Sequence, residues 1–297
     1  NSFVLSPEQL QFYRKNGFLI IEKFLKKEVV DGIASRFETL FAGDFDTGVY
    51  PDEWYGRTGM HVPGVTREIC NIWKADSYLA RNIMLSEQIH SIIAQLHGWS
   101  SSRIAQDDIL WKPAKGGSAV GFHRDSAYIS EQFLPLPENS VTAWMPLDDV
   151  SLESGSIEYV TGSHRWGPIT SSLQGEGKGS FHFVAQSHQH REQFTQSIFG
   201  TSTATARTPQ GEVVLFEYAE IPRGAIAFHH QDLYHGSGIN ITRHTLRRAM
   251  VLHAINGDCR FNENREADYI YGRYRLCDEN GALENKLHEK FFPVCWS

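Results

Sequence analysis

The sequence lacks the marks of several large protein classes. Its four cysteines contain no CxxC pair, which argues against a zinc ribbon and makes a reduced, intracellular protein the default expectation. No stretch approaches the roughly 18 consecutive apolar residues of a membrane-spanning helix. The N-terminus lacks a signal peptide's basic-then-apolar build, although the missing Met leaves earlier processing open. The net charge is −7 without a long run of lysine or arginine, so we expect a soluble, cytoplasmic protein with no nucleic-acid or membrane partner.

The sequence contains enough apolar residues for a large hydrophobic core, since 41% of its residues are hydrophobic and 12% are aromatic. The pattern near the N-terminus is helical. Ser6 and Gln9 form a predicted capping box, and Gly17 ends the first helix. After a strand-like run, FLIIEKFL, helical spacing returns at residues 26–41 and 85–97.

From about residue 104 the sequence changes to short β-rich runs such as SVTAWMPL, GEVVLFEY and GAIAFHH. Many short strands separated by turn signals predict a sandwich or a barrel, and no internal repeat is visible. Two long, polar, Gly-rich stretches, 43–66 and 167–210, are predicted to be functional lids or disordered segments. We interpret the chain as one domain (1–297) with a helical part at about 1–100, a β core at about 104–256 that contains the 167–210 insertion, and a C-terminal extension at 257–297.

One short stretch, GFHRDSAY at residues 121–128, holds His123 and Asp125 one residue apart. The chain has 14 histidines, so one His-x-Asp pair is expected by chance, and a second one does occur at His230 and Asp232. Side chains two residues apart on a strand point to the same face, so either pair could offer two ligands to a metal ion. A facial triad of two histidines and one carboxylate needs one more histidine and suits non-haem iron oxygenases.

Chain spacing favours the first pair. His235 follows Asp125 by 110 residues, which leaves room for four or five strands and suits the late third ligand of a jelly-roll barrel. The competing pair has too little β-rich chain after it, because the next histidine that could join it, His253, follows by only 21 residues. We therefore predict that His123, Asp125 and His235 converge on one metal ion.

The segment after His235, YHGSGIN, places small residues beside the proposed ligand and leads into a returning strand, TRHTLRRAMVL. Arg247 lies twelve residues past His235, so a hairpin could bring its guanidinium close to the metal. A fixed, bidentate cation there is what a dicarboxylate co-substrate requires at its far end.

Together these blocks resemble the phytanoyl-CoA dioxygenase (PhyH-like) family of Fe(II)/2-oxoglutarate-dependent oxygenases. The matching motifs are GFHRD, AWMPLDDVSLESGSIEYVTGSHRW, GAIAFHHQDLYHGSGIN with the following LRRAM, and FYRKNGFLIIEKFL near the N-terminus. They cover roughly residues 6–40 and 104–253. The resemblance implies a mainly β fold, a double-stranded β-helix (jelly-roll, cupin-like) core with flanking N-terminal α-helices.

The resemblance also implies roles for single residues. By this likeness His123, Asp125 and His235 are the Fe(II) ligands, Arg247 anchors the carboxylate of 2-oxoglutarate, and O2 is the third reactant. The further cofactor-pocket positions it implies are Trp144, Asp108 and Ser237. The sequence departs from the family pattern twice. The His-to-Arg interval is one residue longer than expected, which leaves Arg248 or Arg243 open as anchors, and Asp108 is polar where the family often has Met.

The implied reaction is oxidative decarboxylation of 2-oxoglutarate to succinate and CO2, coupled to hydroxylation of a small organic metabolite. Desaturation and cyclisation are variants of it, whereas halogenases of this fold lack the carboxylate that Asp125 supplies. The basic residues Lys112, Lys115 and Arg124 could accept an anionic group, which favours a small polar or carboxylate-bearing substrate.

Several other residues have more than one interpretation. Tyr128 and Arg124 are candidate substrate contacts. Three residues of the 43–66 loop could line a pocket or pack within their loop: Trp54, Tyr55 and Arg57. We expect His229 and His230 to be structural. A solvated loop accounts for the cluster His182, His188, His190 and Arg191. A different functional class also stays open, because the same jelly roll with two histidines and an aspartate could hold Zn(II) as a hydrolase or act as a non-catalytic small-molecule binding protein. The oligomeric state is unknown at this point.

Overall fold

The computed structural model describes residues 3–167, 190–218, 220–264 and 270–297. Its helices are α1 (Pro7–Asn16), α2 (Lys27–Ala42), α3 (Ser77–Leu79), which continues into a π-helical turn (Ala80–Met84), α4 (Glu87–His97) and α5 (His190–Phe199). Its strands are β1 (Phe18–Ile21), β2 (Glu53–Tyr55), β3 (Arg67–Cys70), β4 (Ser102–Lys112), β5 (Val120–His123), β6 (Phe133–Leu134), β7 (Ser140–Pro146), β8 (Ile157–Val160), β9 (Phe216–Tyr218), β10 (Ile226–His230), β11 (His235–Ser237), β12 (Arg247–Asn256), β13 (Arg260–Phe261) and β14 (Val294–Trp296).

The N-terminal helices form where the sequence predicts them. The hydroxyl of Ser6 accepts the backbone N–H of Gln9, and the Gln9 side chain accepts the N–H of Ser6, which completes the capping box of α1. Gly17 ends the helix with φ of +86°, a left-handed conformation that favours glycine. The predicted helix at 26–41 is α2, shifted by one residue. Helix α4 ends at His97, as predicted, before the left-handed Gly98.

Two antiparallel sheets dominate the molecule. The major sheet has the strand order β1-β10-β7-β12-β4-β3-β2, and β14 pairs with the first residues of β4. The minor sheet has the order β5-β11-β8-β9, and β6 pairs separately with β13. The mainly β architecture with N-terminal helices confirms the predicted fold class.

Alternation along β4 explains how the sheets are covered on both faces. Ile109 points outward and belongs to one apolar cluster with Ile33 and Phe37 of α2, because residues one position apart on a strand face opposite ways. On the other face, Trp144 of β7 packs in a separate cluster between the sheets. Polar residues interrupt this inner cluster along β4, and they line a cavity between the two sheets.

The two stretches that were expected to be lids or disordered have different outcomes. Residues 43–66 contain β2, which pairs with β3 at the edge of the major sheet, so this expectation was wrong for part of that stretch. Within 167–210, residues 168–189 lie outside the described part of the chain, while α5 packs on the minor sheet through Phe194 against Phe122 and Tyr234. None of the helices in the described part of the chain is long and apolar enough to cross a membrane.

Candidate active site

Three candidate metal ligands meet where two strands of the minor sheet lie side by side. His123 is the last residue of β5, His235 is the first residue of β11, and the antiparallel register pairs them directly. Asp125 follows β5 in a one-turn 3-10 helix. One ligand atom from each of the three lies within 4.8 Å of those of the other two. The fold thus brings together side chains that are far apart in the sequence.

The close approach of these two strands depends on Gly236. A Cβ at this position would lie 2.7 Å from the carbonyl oxygen of Val120, well inside van der Waals contact. A larger residue would therefore push β11 away from β5 and separate His235 from His123. This gives a physical reason for the small residue that directly follows the histidine in YHGSGIN.

Both imidazoles are held in one tautomer by the backbone. Nδ1 of His123 lies 2.9 Å from the carbonyl oxygen of Gly121, and Nδ1 of His235 lies 3.0 Å from that of Leu233. Because a carbonyl oxygen only accepts, each Nδ1 carries a proton and donates it, which leaves each Nε2 lone pair free for a metal ion. Burial lowers the pKa of both histidines to about 4, so both are neutral at pH 7, as metal binding requires.

The two carboxylate oxygens of Asp125 have different surroundings. Oδ2 accepts hydrogen bonds from the hydroxyl of Thr142 and from Nε2 of His229, the latter at 3.2 Å. Oδ1 faces the imidazoles, 3.6 Å from Nε2 of His123 and 3.5 Å from Nε2 of His235. Octahedral bonds of ~2.1 Å would place neighbouring ligand atoms about 3.0 Å apart, so only a small contraction around an ion is needed. Burial acts to raise the pKa of Asp125, but His235 and the bond from His229 outweigh it and hold the pKa well below its usual value.

A buried chain of hydrogen bonds leads from Asp125 to the opposite wall of the cavity. Nδ1 of His253 lies 2.8 Å from Oγ1 of Thr142, and its Nε2 lies 3.4 Å from Oδ2 of Asp108. Because the Thr142 hydroxyl donates to Asp125, His253 must donate to Thr142, and its second nitrogen faces a carboxylate. Burial lowers the pKa of His253, but the bond with Asp108 and the charge of Asp125 outweigh it and leave the pKa raised.

At the other end of the cavity, Arg247 has an unsatisfied guanidinium. Its side chain is buried, Nη2 lies 3.5 Å from the hydroxyl of Ser237, and Nε and Nη1 have no hydrogen-bond partner among the described residues. Lys112, which pairs with Arg247 across β4 and β12, donates to the same hydroxyl at 3.0 Å and to the carbonyl of Gly238 at 2.6 Å. Burial lowers the pKa of Arg247 to about 10, so it stays charged at pH 7. Burial, and then the neighbouring charge of Arg247, lower the pKa of Lys112 well below its usual value. The open N–H groups of the charged Arg247, with the Lys112 amine beside them, suit the carboxylate of a dicarboxylic acid.

The alternative anchors, Arg248 and Arg243, point elsewhere. The guanidinium of Arg248 pairs with the carboxylate of Asp148 at 2.6 Å and donates to the carbonyl of Ala34, on the outer face of the major sheet. Arg243 is exposed in the turn before β12. Only Arg247, of the three, lines the cavity.

The cavity itself measures about 1060 Å³ out to its open mouth. It contains both the triad and the Arg247 end. Of the other predicted contacts, Trp144, Asp108, Ser237 and Tyr128 also line it. The Trp144 ring lies 5.7 Å from the Arg247 guanidinium, which places it between the two ends.

Some predicted residues lie away from this cavity. The guanidinium of Arg124 packs over the ring of Tyr234, and Lys115 is exposed in a turn. Arg57 stacks on Trp54 at 4.8 Å, which supports loop packing for that pair. Of the insertion cluster, His182 and His188 lie outside the described residues. His190 and Arg191 both bond the buried carboxylate of Glu158 and so attach α5 to the minor sheet.

Sequence reasoning missed several residues of the cavity wall. Lys112 was expected at the mouth but is buried beside Arg247, because it continues the inward alternation of Asp108 along β4. Thr142, His229 and His253 were not assigned roles in the site. Each lies on a strand of the major sheet with its side chain on the inner face, a signal that becomes readable only once the strand register is known.

His230, from the competing His230 and Asp232 pair, belongs to a separate cluster. His230 lies with His97 and Glu138, and one ligand atom from each falls within 4.8 Å of the others. However, Nδ1 of His230 accepts the backbone N–H of Asp232 at 3.0 Å, so in the neutral ring Nε2, which faces Glu138, carries the proton. A protonated nitrogen has no lone pair for a metal, and this donor set therefore fits a metal worse than the triad.

Comparison with known proteins indicates the same family as the sequence motifs. A family model described as phytanoyl-CoA dioxygenase (PhyH) matches residues 13–249. A phytanoyl-CoA dioxygenase of Arabidopsis thaliana is 21% identical in an alignment 285 residues long, which covers 86% of this chain and 90% of the relative. In fold, the chain is similar to the non-haem alpha-ketoglutarate-dependent carbocyclase SnoK from nogalamycin biosynthesis (TM-score 0.65, 22% identity, 98% and 96% of the two chains). It is also similar to the epimerase SnoN in complex with Fe3+, alpha-ketoglutarate and nogalamycin RO (TM-score 0.66, 17% identity, 97% of each chain).

The family match covers most of the chain, including all three triad residues and Arg247. It settles the class that the sequence motifs indicated and the cofactors that go with it, Fe(II), 2-oxoglutarate and O2. The chain belongs to the phytanoyl-CoA dioxygenase family of Fe(II)/2-oxoglutarate-dependent oxygenases.

Proposed function

We propose that this enzyme hydroxylates a C–H bond of a small organic metabolite, with Fe(II) held by His123, Asp125 and His235. When bound, iron and 2-oxoglutarate supply the oxidising chemistry, in which 2-oxoglutarate is converted to succinate and CO2. The observation that carries the proposal is that one cavity holds both a donor set of two neutral imidazoles and one carboxylate and a buried guanidinium, that of Arg247, whose Nε and Nη1 have no hydrogen-bond partner among the described residues. That second feature is what the distal carboxylate of a dicarboxylate co-substrate requires.

The chain's own residues prepare both ends of the cavity. The backbone carbonyls that accept from Nδ1 of His123 and His235 keep both Nε2 atoms aimed at the ion. At the far end, Arg247, Lys112 and Ser237 are positioned to bind the distal carboxylate of 2-oxoglutarate. The apolar ring of Trp144, 5.7 Å from the Arg247 guanidinium, would shield the carbon chain of the bound co-substrate from water.

The fold relatives support a small-molecule substrate without naming one. The SnoN structure contains nogalamycin RO, SnoN is an epimerase and SnoK is a carbocyclase, so related folds serve outcomes other than hydroxylation. The carboxylate of Asp125 occupies the place that a halide would need, which argues against halogenation.

Anaerobic titration of the protein with Fe(II) and 2-oxoglutarate tests the proposal. We expect a weak visible charge-transfer band and, on admission of air, slow release of succinate. The variant Arg247→Met should weaken 2-oxoglutarate binding by on the order of 10- to 100-fold, because it removes charge-assisted hydrogen bonds. Arg248→Met is the matched control, since its guanidinium lies outside the cavity, and it should leave that affinity unchanged. No band and no succinate would contradict the proposal, and equal 2-oxoglutarate affinity in the two variants would remove Arg247 as the anchor.

A further inference from the structure

Two carboxyl groups form one wall of the cavity. Glu68 on β3 and Asp108 on β4 both line it. In the β3–β4 register Glu68 pairs with Leu110 and Cys70 pairs with Asp108, so the two acids are diagonal neighbours on adjacent strands with their side chains on the same face. Burial, and then the neighbouring charge of Asp108, raise the pKa of Glu68 to about 8.

The Asp108 carboxylate is held in place by dedicated donors. The side-chain amide of Gln106 donates to both of its oxygens, at 3.2 and 3.1 Å, and His253 approaches it at 3.4 Å. The hydroxyl of Tyr271 donates to the amide oxygen of Gln106 at 2.7 Å, which turns the amide N–H groups toward Asp108. A buried carboxylate is costly unless it is hydrogen-bonded, and the C-terminal extension therefore contributes to fixing this charge in the wall.

Charges in the cavity are separated along β4. Lys112 and Arg247 are the only lysine and arginine among the lining residues that the structure describes, and both contact Ser237 at one end. Asp108 lies four residues from Lys112 along the strand, roughly 13 Å away. If the distal carboxylate of 2-oxoglutarate binds at Arg247 and Lys112, as in the proposed function, that end of the cavity is filled. The wall left for the substrate then carries two carboxyl groups, Glu68 and Asp108, and one imidazole, His253, which lies against Asp108.

An acidic wall discriminates between substrates by charge. A carboxylate or phosphate placed on this wall would be repelled by Asp108 in a poorly solvated space. An ammonium group would instead make a charge-assisted hydrogen bond to Asp108, and its positive charge would lower the pKa of Glu68 from about 8, so that this carboxyl also binds it in the charged form. The earlier expectation of a carboxylate-bearing substrate depended on Lys112, Lys115 and Arg124. None of these lies on this wall.

We propose that the substrate carries a protonated amine, which binds between Glu68 and Asp108 while the C–H bond to be oxidised lies toward the metal. This inference rests on the proposed function, because it assigns the cationic end of the cavity to 2-oxoglutarate. It replaces a general small-metabolite substrate with a defined chemical class, basic nitrogen compounds.

The test uses three probes with one carbon skeleton, hexylamine, 1-hexanol and hexanoate, added without O2 to the protein loaded with Fe(II) and 2-oxoglutarate. Binding beside the metal is followed as a change in the charge-transfer band. Hexylamine should bind on the order of tenfold or more tightly than 1-hexanol, with hexanoate weakest. Glu68→Gln, which keeps the shape and removes the carboxyl that can ionise beside an ammonium group, should reduce the amine-to-alcohol affinity ratio. Glu153→Gln, at an exposed position, should leave that ratio unchanged.

Equal affinity for the three probes, a preference for hexanoate, or an unchanged ratio in Glu68→Gln would overturn the inference. The comparison of probes on the wild-type protein decides it even if the variant does not fold. Failure of the proposed function gives a different result, because the charge-transfer band would then be absent before any probe is added.

Discussion

The two carboxylate oxygens of Asp125 have different roles, one in hydrogen bonding and one as the candidate metal ligand. Oδ2 accepts from Thr142 and His229, while Oδ1 faces the two imidazoles. The hydroxyl of Thr142 thereby selects which oxygen is available and in which direction it points. Groups that orient a metal ligand in this way commonly change metal affinity by 10- to 100-fold when removed.

At this scale we predict that Thr142→Val weakens Fe(II) binding by about 10- to 100-fold, because the isosteric change removes the donor to Asp125 without opening a cavity. Anaerobic equilibrium titration with Fe(II) measures the affinity directly. Thr195→Val is the control, since Thr195 is also buried but its hydroxyl bonds the backbone of α5 and Thr203, far from the triad. Equal affinity in wild type and Thr142→Val would show that Asp125 needs no such orientation.

At the level of residues, the sequence led us to predict the triad and the anchor, but not the side chains that contact them in the structure. The triad was predicted from the strand period and from the sequence separation between His123 and His235, because its residues lie at one strand end and on one late strand. Thr142 and His253 could not be found in this way, since their roles depend on which strands are neighbours and in what register.

At the scale of elements, α4 is attached to the sheet by a buried polar contact as well as by its apolar face. His90 is completely buried, its Nε2 donates to the carbonyl of Met84 at 2.9 Å, and its Nδ1 accepts from the hydroxyl of Ser102 at 2.9 Å. Both ring nitrogens are thus used by the neutral form. Burial lowers the pKa of His90 from 6.5 to about 4.

The sign of the resulting pH dependence follows from linkage. Between pH 6.5 and 4, His90 is protonated in the unfolded chain but stays neutral in the folded protein. The contribution of the neutral, buried His90 to the free energy of unfolding is therefore complete above pH 6.5 and is lost as the pH falls toward 4. Its size is on the order of 3 kcal/mol. Denaturant unfolding across this range should therefore give a flatter stability profile for His90→Gln than for wild type. The exposed His244→Gln variant should retain the wild-type slope, and a slope unaltered by His90→Gln would contradict the assignment.

Elements with a strong hydrophobic periodicity could be predicted from the sequence, whereas an element without one could not. The capping box of α1 and the apolar stripe of α2 fixed those helices to within a residue. Strand β2, by contrast, is three residues long, at the sheet edge, and sits in a polar, Gly-rich segment. Its pairing with β3 is a tertiary preference that local sequence does not encode.

At the scale of the whole molecule, two sheets enclose a cavity with the candidate metal triad near one end and the basic side chains of Arg247 and Lys112 at the other. The helices α2 and α4 pack on the outer face of the major sheet and leave its inner face to polar groups. The sequence predicted this mainly β architecture from its strand-rich texture and its family motifs. The polar lining of the cavity was not predictable, because a solvated strand face and a cavity wall show the same alternation.

The central claim is that one metal ion binds among His123, Asp125 and His235, and not at the second histidine cluster. Anomalous diffraction at the iron edge, from crystals grown anaerobically with Fe(II), locates the ion directly. We predict one strong peak that contacts Nε2 of His123, Oδ1 of Asp125 and Nε2 of His235. A principal peak among His97, Glu138 and His230 instead, or none at the triad, would contradict the account.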